Sequence, residues 1–331
     1  MSNFNIPVVL FCFKRVDTTL KVLERISQIK PMKLYILSDA GRNEDEIKII
    51  KDLREKIEKS VNWNCKLVKV YADQNKGVYS NIALGVKYVF SFESEAIFLE
   101  DDNLPELSFF YYCKEMLEKY KDNKEVLWIC GTNYEERTNF NNDESYSFTK
   151  NILPCGWASW KEKFLNAYDF NLEILKNDKK LDILKKTYYN KSLYKQQLFN
   201  ARGERYRFEN NKRYNSWDTH MAISIRVSNS VGIVPKYNQI KNIGVDELST
   251  HGGSSFDSIM TKRFCGMNSK PLKFPLNHPK EVLCNIEFEK RLEKTILYPF
   301  STRIKGYLIR LIKRLLGVSI YIPIRESLWK K

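Results

Sequence analysis

Three consecutive carboxylates, Glu100, Asp101 and Asp102, follow directly after the apolar run at residues 96–99. The run has the length and composition of a buried strand, so the carboxylates stand where that strand should end. Adjacent carboxylates repel one another, and a shared divalent cation relieves the repulsion. Because ligands of open α/β sheets bind at the carboxyl ends of strands, the pattern predicts a divalent-metal site holding a phosphate-bearing substrate. The alternative is a solvated acidic turn.

Other polar residues stand at the ends of the strands that precede this triplet. Short apolar runs alternate with segments of helical periodicity, which predicts a mostly parallel sheet with helices on both faces. Arg15, Asp39 and Asn75 follow the first three runs, so they and the triplet should line one edge of the sheet. The predicted strands cover residues 7–13, 34–37, 65–70 and 96–99, and the predicted helices cover 18–29, 43–60 and 78–90.

The later part of the chain predicts additions to this sheet. Residues 126–131 indicate a fifth strand, residues 138–147 a mobile polar loop, and residues 155–160 a compact aromatic turn. The segment 173–213 holds 12 Lys and Arg against 5 Asp and Glu, which predicts a basic helical insertion. The fold class is therefore α/β: a Rossmann-like, mostly parallel sheet flanked by helices, with this insertion and a C-terminal amphipathic extension.

Length and composition limit the classes of protein that fit. The 331 residues suffice for one large α/β domain with an appendage, and the net charge of +15 suits nucleic acid, an anionic membrane surface or anionic substrates. Seven cysteines include no C-x-x-C pair, so they indicate neither a zinc site nor a disulfide framework and fit a reducing compartment. We find no secretion signal and no apolar run long enough to span a membrane, and we expect a cytoplasmic protein.

The C-terminal segment 301–331 holds 8 Lys and Arg and one acid, so nearly half of the net charge lies in about a tenth of the chain. A basic amphipathic helix of this kind can lie on the inner face of an anionic membrane. The alternative is a helix that docks on the domain with its basic side in water. On a helical wheel the apolar side holds Ile304, Leu308, Leu311, Ile312 and Leu315, the other side holds Arg303, Arg310, Lys313 and Arg314, and Lys305 lies at the apolar edge.

Several short motifs, taken in order, resemble those of GT-A glycosyltransferases, in which an acidic turn of an α/β domain holds a metal on a nucleotide-sugar. The resemblance is sharper, up to about residue 256, to the N-acetylglucosaminyltransferase I family and its bacterial relatives. The matching segments are residues 7–15, Ser38-Asp39-Ala40-Gly41, the acidic triplet followed by Phe109-Phe110, Pro154-Cys155-Gly156-Trp157, Trp217-Asp218 followed by Met221, and Ser249-Thr250-His251-Gly252.

This resemblance implies roles for the matched residues. Asp102 would bind Mn²⁺ or Mg²⁺, with His251 as a second candidate ligand. Asp218 would be the base that takes the proton of the acceptor hydroxyl, and the alternative for it is an N-cap of the following helix. A histidine that precedes the metal strand in the family has no counterpart, because Tyr79 stands near that position. The residues expected to bind the nucleotide-sugar are Arg15, Asp39, Asn75, Gly77, Glu100, Asp101, Trp157 and Trp217.

Some of these residues have a more specific expectation. Asp39 would bond the uracil base, and Glu100 and Asp101 would contact the ribose and the sugar. Trp157 would stack on a sugar face, and the alternative for it is aromatic packing under a loop.

The function predicted by these features is metal-dependent, inverting glycosyl transfer from a nucleotide-sugar, such as a UDP-sugar, to a glycan or lipid-linked acceptor in surface polysaccharide or glycoconjugate synthesis. A sugar nucleotidyltransferase is an alternative that would share the sheet and the metal. Its usual glycine-rich loop after the first strand is not matched, because residues 13–17 contain no glycine. A nucleic-acid binder would explain the charge but not the triplet, so we expect no nucleic-acid partner.

The same features predict how the chain is divided. Residues 1–256 form the catalytic domain, with a nucleotide-sugar half at 1–132 and an acceptor-side half at 133–256. Residues 257–331 form the C-terminal extension. The expected location is cytoplasmic, with the C-terminal helix holding the protein peripherally on the inner face of the membrane.

Overall fold

The computed structural model describes residues 4–140, 143–245 and 258–322. Its strands are β1 (Val8–Cys12), β2 (Lys33–Ser38), β3 (Lys66–Tyr71), β4 (Glu95–Glu100), β5 (Asn103–Pro105), β6 (Val126–Cys130), β7 (Tyr146–Thr149), β8 (Trp157–Trp160), β9 (Val231–Pro235) and β10 (Ile240–Asn242). Its helices are α1 (Val16–Ile29), α2 (Glu44–Ser60), α3 (Gly85–Val89), α4 (Leu107–Tyr120), α5 (Lys161–Ala167), α6 (Asp178–Lys186), α7 (Lys191–Glu209), α8 (Trp217–Val227), α9 (Ile259–Cys265), α10 (Ile286–Ile296) and α11 (Phe300–Leu315).

The first strand explains why both faces of the sheet are covered. All five residues of β1 are buried and apolar. Successive side chains of a strand point to opposite faces, so Val9 and Phe11 enter one core cluster while Val8, Leu10 and Cys12 enter the other. Parallel strands buried on both sides have this continuous apolar composition. The predicted α/β fold is confirmed.

The order of the strands creates a crevice beside β1. The main sheet has eight strands in the order β3-β2-β1-β4-β8-β6-β9-β7. From β1 the chain proceeds outward to β2 and β3, then crosses to β4 on the opposite side of β1, and all three pairings are parallel. The direction of winding therefore reverses between β1 and β4, which is the position where open α/β sheets bind ligands.

Two strands occupy segments that the sequence pattern assigned to irregular structure. Residues 157–160 were predicted as a turn but form β8, which pairs antiparallel with both β4 and β6. The predicted loop at 138–147 runs into β7, which pairs antiparallel with β9 at the sheet edge. Both strands are only four residues long, and their pairing partners are distant in sequence, so local periodicity does not distinguish them from turns.

The predicted basic insertion is helical, as a 3₁₀ turn at Glu173–Lys176 leads into α6 and α7. The predicted domain boundary at residue 256 falls between the described ranges, and the division into domains stays a prediction. None of the described helices is both long and apolar enough to cross a membrane.

Candidate functional site

A cleft of about 890 Å³ opens at the carboxyl ends of β1, β2 and β4. It contains most of the site residues predicted from the sequence: Arg15, Asp39, Asn75, Gly77, Glu100, Asp101, Asp102, Trp217 and Asp218. The start of α8, part of α7 and α9 complete its walls. The parallel strands and α8 together bring Arg15 and Asp218, which are about two hundred residues apart in the chain, into one cleft.

The centre of the cleft is a set of contacts between the loop after β1 and the turn after β4. Asp101 Oδ2 accepts the backbone N–H of Phe13 at 3.2 Å. The Arg15 guanidinium donates to Asp102 Oδ2 at 2.8 Å, and its Nη1 lies 3.7 Å from Asp101 Oδ1. These contacts span the position where the winding of the sheet reverses.

Asn103 holds the acidic turn in shape. Its Oδ1 accepts the N–H of Gly156 at 2.7 Å, while its Nδ2 donates to Asp102 Oδ1 at 2.6 Å. As part of β5, Asn103 also pairs with Asn242 of β10, which brings the later chain against the triplet. Gly244 follows closely, and a Cβ there would lie 2.2 Å from Asp102 Oδ2. A side chain at position 244 would therefore displace Asp102 or Arg15.

The ionised form of Glu100 is destabilised by this arrangement. Its pKa is raised well above the usual value, first because the surrounding protein removes water from the carboxyl and then because Asp102, Asp101 and Asp218 repel its charge. Arg15 opposes the shift. The carboxylates around Glu100 thus outweigh the charge of Arg15, and an added cation would lower the pKa of Glu100.

The oxygen donors suit Mg²⁺ or Mn²⁺. Among the described residues no cluster of three or more His, Cys, Asp or Glu side chains forms a complete metal cage. Mg²⁺ does not need one, because it is commonly held by one or two carboxylates together with substrate phosphates. The residues around Asp102 therefore fit a cation that arrives with a phosphorylated ligand. His251, the second predicted metal ligand, lies outside the described residues, as does the motif 249–252.

Asp39 binds and stabilises the loop that follows β3. Its carboxylate is buried and accepts the N–H groups of Ala40, Lys76 and Gly77 at 2.8 to 2.9 Å. The Asn75 amide also donates to it at 3.2 Å. Asp39 therefore fixes the backbone of residues 75–77 at the rim of the cleft, and its recognition of a base stays a prediction.

A second group of charges lies beside this loop. Glu46 near the start of α2 binds Lys14 Nζ at 3.0 Å and both the backbone N–H and the guanidinium of Arg42. These partners, Arg42 first, hold the pKa of Glu46 far below its usual range. Lys14 and Arg42 line the cleft, as does Arg207 of α7. Lys14 precedes the predicted Arg15 at the end of β1, but the sequence pattern gave no signal for Arg42 or Arg207, which reach the cleft from a loop and a helix.

Asp218 is positioned by the residues just before it. Ser216 caps α8 by accepting the N–H of Thr219 at 3.2 Å, and its hydroxyl also bonds Asp218 Oδ1. Buried Glu204 of α7 accepts the N–H groups of Asn215 and Ser216, which fixes the approach to the helix. Ser216, and not Asp218, is the N-cap, so Asp218 lies in the first turn with its charge close enough to raise the pKa of Glu100.

Trp157 is not in the cleft. Its ring is 2% exposed and stacks on Trp128 at 4.0 Å and on Phe98 at 4.1 Å between centroids. Both faces of the ring are covered by protein, so it has no face for a sugar, and the expected stacking contact is corrected to core packing. The ring centroid of Trp217 lies 5.8 Å from that of Trp157, and Trp217 extends this aromatic stack to the wall of the cleft.

No protein-family model and no curated protein sequence matches the chain. Solved structures do. A UDP-glucose pyrophosphorylase complexed with UDP-glucose is 12% identical over 71% of this chain and 91% of its own, with a TM-score of 0.34. HddC from Yersinia pseudotuberculosis complexed with GMP-PN is 12% identical over 47% of this chain and 77% of its own, with a TM-score of 0.31. A 4-diphosphocytidyl-2C-methyl-D-erythritolsynthase from Anaerococcus prevotii DSM 20548 is 14% identical over 53% of this chain and 83% of its own, with a TM-score of 0.31.

These similarities correct the predicted function. The three structures are a UDP-glucose pyrophosphorylase, HddC and a 4-diphosphocytidyl-2C-methyl-D-erythritolsynthase, and none of the three is a glycosyltransferase by name, so the prediction of a glycosyltransferase is contradicted. They give no support to the closer resemblance to the N-acetylglucosaminyltransferase I family. At such low identity the likeness concerns the Rossmann-like fold alone, and the reaction has to be argued from the cleft.

Proposed function

We propose that the chain is an enzyme of the sugar nucleotidyltransferase class. It would join the nucleotidyl group of a nucleoside triphosphate to a sugar phosphate. A sugar-phosphate oxygen forms a bond to the α-phosphorus, the bond from that phosphorus to the bridging oxygen of the β-phosphate breaks, and pyrophosphate leaves with the bonding electrons. The acceptor is then a sugar phosphate and not the glycan or lipid-linked acceptor expected above.

The observation that carries this proposal is the mixture of charges at the winding reversal. Glu100, Asp101, Asp102 and Asp218 lie in the same cleft as four cationic side chains. Both substrates are polyanions, and a phosphate nucleophile is already ionised at neutral pH, so the reaction needs positioning and charge neutralisation more than a base. The cations in the cleft are Lys14, Arg15, Arg42 and Arg207.

Asp102 and Asp101 are the residues that would hold Mg²⁺ or Mn²⁺, and Asp218 lines the same cleft. The cation would neutralise phosphate charge and favour departure of pyrophosphate. Arg15 offers a planar guanidinium beside Asp102, and such a group suits bidentate bonds to phosphate oxygens. Lys14 and Arg42, held by Glu46, would attract the triphosphate into the cleft. Asp39 and Asn75 would place the rim loop against the base.

Pyrophosphate release tests the proposal. The protein is incubated with each common nucleoside triphosphate and a panel of hexose 1-phosphates, with Mg²⁺ or with a chelator. We expect release that requires both substrates and the metal. Asp102→Asn should lower kcat/KM by about 100-fold or more, because it removes a charge that acts on the reacting phosphates.

The matched control is Asp52→Asn, which changes a carboxylate of the same kind that is 53% exposed on α2. It should leave the rate unchanged. Folded protein that releases no pyrophosphate with any pair of substrates, or whose release is insensitive to the chelator, would overturn the proposal.

A further inference from the structure

The last described helix, α11, has the opposite orientation to that of most amphipathic helices on soluble domains. Such helices turn their apolar side to the core. Here the apolar side is in solvent: Leu315 is 81% exposed, Phe300 69% and Tyr307 60%. We call this side the apolar stripe. It consists of Phe300, Ile304, Tyr307, Leu308, Leu311, Ile312 and Leu315, all of them exposed.

The opposite side of α11, which includes basic residues, is the side that contacts the protein. Lys313 is buried, and its ammonium donates to the carbonyl oxygens of Ile320 and Ile322. The Arg310 guanidinium lies 4.8 Å from the ring centroid of Phe199 on α7. These contacts fix the rotation of the helix, so the apolar stripe faces solvent as a consequence of how the basic side docks.

The charges around the stripe indicate what covers it. Exposed Lys305 and Arg314 border its two edges, and the chain from 300 to 322 contains five Lys and Arg and no Asp or Glu. Two copies packed stripe to stripe would bring these cations together. An anionic lipid bilayer instead accepts apolar side chains at the level of the acyl chains and cations at the level of the headgroups. We propose that α11 docks the protein on an anionic bilayer through the apolar stripe.

This docking would bring the cleft to the bilayer. Tyr298, two residues before α11, and Ile320 and Tyr321, shortly after it, line the cleft. Tyr321 packs on Phe199 and Tyr206 of α7 with ring centroids 5.2 and 5.5 Å apart. The residues that flank α11 therefore link the apolar stripe to the wall of the cleft. The proposal does not depend on which reaction the cleft performs.

Vesicle co-sedimentation with the full chain tests it. We expect binding to phosphatidylcholine vesicles that contain about one quarter phosphatidylglycerol, at least about tenfold weaker binding to pure phosphatidylcholine, and weakening by salt. The double variant Leu308→Glu/Leu311→Glu should lose binding without a change in Tm, because both side chains are exposed. Lys305→Glu/Arg314→Glu should lose the preference for anionic lipid.

The matched control is Phe92→Glu/Leu283→Glu, which places the same charges at exposed apolar positions away from α11. It should bind vesicles like the unmodified chain. Absence of vesicle binding, or unchanged binding by the Leu308→Glu/Leu311→Glu variant, would overturn the proposal. So would a dimer in solution that this variant converts to monomer, since the stripe would then cover a second copy.

Discussion

The charge of Glu100 destabilises the folded chain when no cation is present, although the same charge suits a cation-binding site. Desolvation and three neighbouring carboxylates raise its pKa, so the folded chain keeps its proton to a higher pH than the unfolded chain does. Between the ordinary glutamate pKa and the raised one, the folded state binds more protons than the unfolded state. Stability falls as pH rises from the ordinary glutamate pKa through the raised one, and a cation in the cleft would reverse the effect.

Glu100→Gln should therefore stabilise the protein when no divalent cation is present. Removal of the repelled charge should raise the free energy of unfolding at pH 7 by about 0.5–2 kcal/mol. Gains of this size are common when an unfavourable group in a functional site is replaced. At pH 4 the variant and the unmodified chain should differ little. Urea unfolding at the two pH values measures both quantities.

Glu118→Gln is the control for this comparison, because Glu118 is 74% exposed on α4. It should show no gain at pH 7. A Glu100→Gln variant that is less stable than the unmodified chain at pH 7 without metal would contradict the electrostatic account.

At the residue scale, the sequence predicted where a side chain lies better than which other side chain it contacts. A strand end implies a sheet edge, so Arg15, Asp39, Asn75 and the acidic triplet are found together in the cleft. Pairings such as Arg15 with Asp102 join residues 87 positions apart, and no local pattern encodes them. Trp157 was misassigned because an aromatic residue next to a turn has the same local signature whether it faces ligand or core.

At the scale of elements, the loop after β3 depends on one carboxylate. Asp39 satisfies three backbone N–H groups and one amide, and it is 4% exposed. Asp39→Asn replaces an acceptor oxygen with a donor and leaves some of those N–H groups unpaired. We expect a loss of about 1–3 kcal/mol in the free energy of unfolding, with faster amide hydrogen exchange at residues 75–77.

Asp73→Asn provides the comparison, since Asp73 is an exposed residue of the same connection. It should leave both stability and exchange unchanged. If Asp39→Asn exchanges at the original rate, the carboxylate does not hold the loop.

The elements themselves were largely predictable. The helices α1 and α2 begin within about two residues of their predicted starts, because apolar periodicity marks both and Asn43 caps α2. The helix expected at 78–90 is real but begins with a π-helical turn at Ser80–Leu84, which sequence periodicity does not reveal. The short strands β7 and β8 exist because they pair within the main sheet, and β5 and β10 because they pair with each other, so they could be found only in three dimensions.

At the scale of the whole molecule, a buried ionic network joins the later helices to the sheet. Arg226 of α8 donates to Glu293 of α10 at 3.1 Å and to Asn151 at 2.7 Å, and its guanidinium lies over Tyr188. Arg226 is 1% exposed and Glu293 is fully buried. The network ties α10, part of the predicted C-terminal extension, to α8 of the predicted catalytic domain, so the two should unfold together.

Arg226→Met should lower the free energy of unfolding by about 3–5 kcal/mol, because it leaves the carboxylate of Glu293 buried without its cation. The double variant Arg226→Met/Glu293→Gln should be more stable than the single one, since the unpaired charge is gone. Denaturant unfolding followed by circular dichroism measures both.

Arg202→Met, at an exposed position on α7, controls for loss of an arginine and should cost less than about 0.5 kcal/mol. A double variant no more stable than Arg226→Met would mean that packing, and not the unpaired charge, accounts for the loss.

The aromatic stack that removes Trp157 from the cleft also gives the protein an optical property. Trp128 and Trp157 lie 4.0 Å apart, and Trp217 continues the stack to the cleft wall beside Asp218. Indole rings this close share their electronic excitation, so their absorption and emission respond as one unit. Occupation of the cleft next to Trp217 will therefore be registered by the intrinsic fluorescence of the folded chain, and ligands can be ranked without any label.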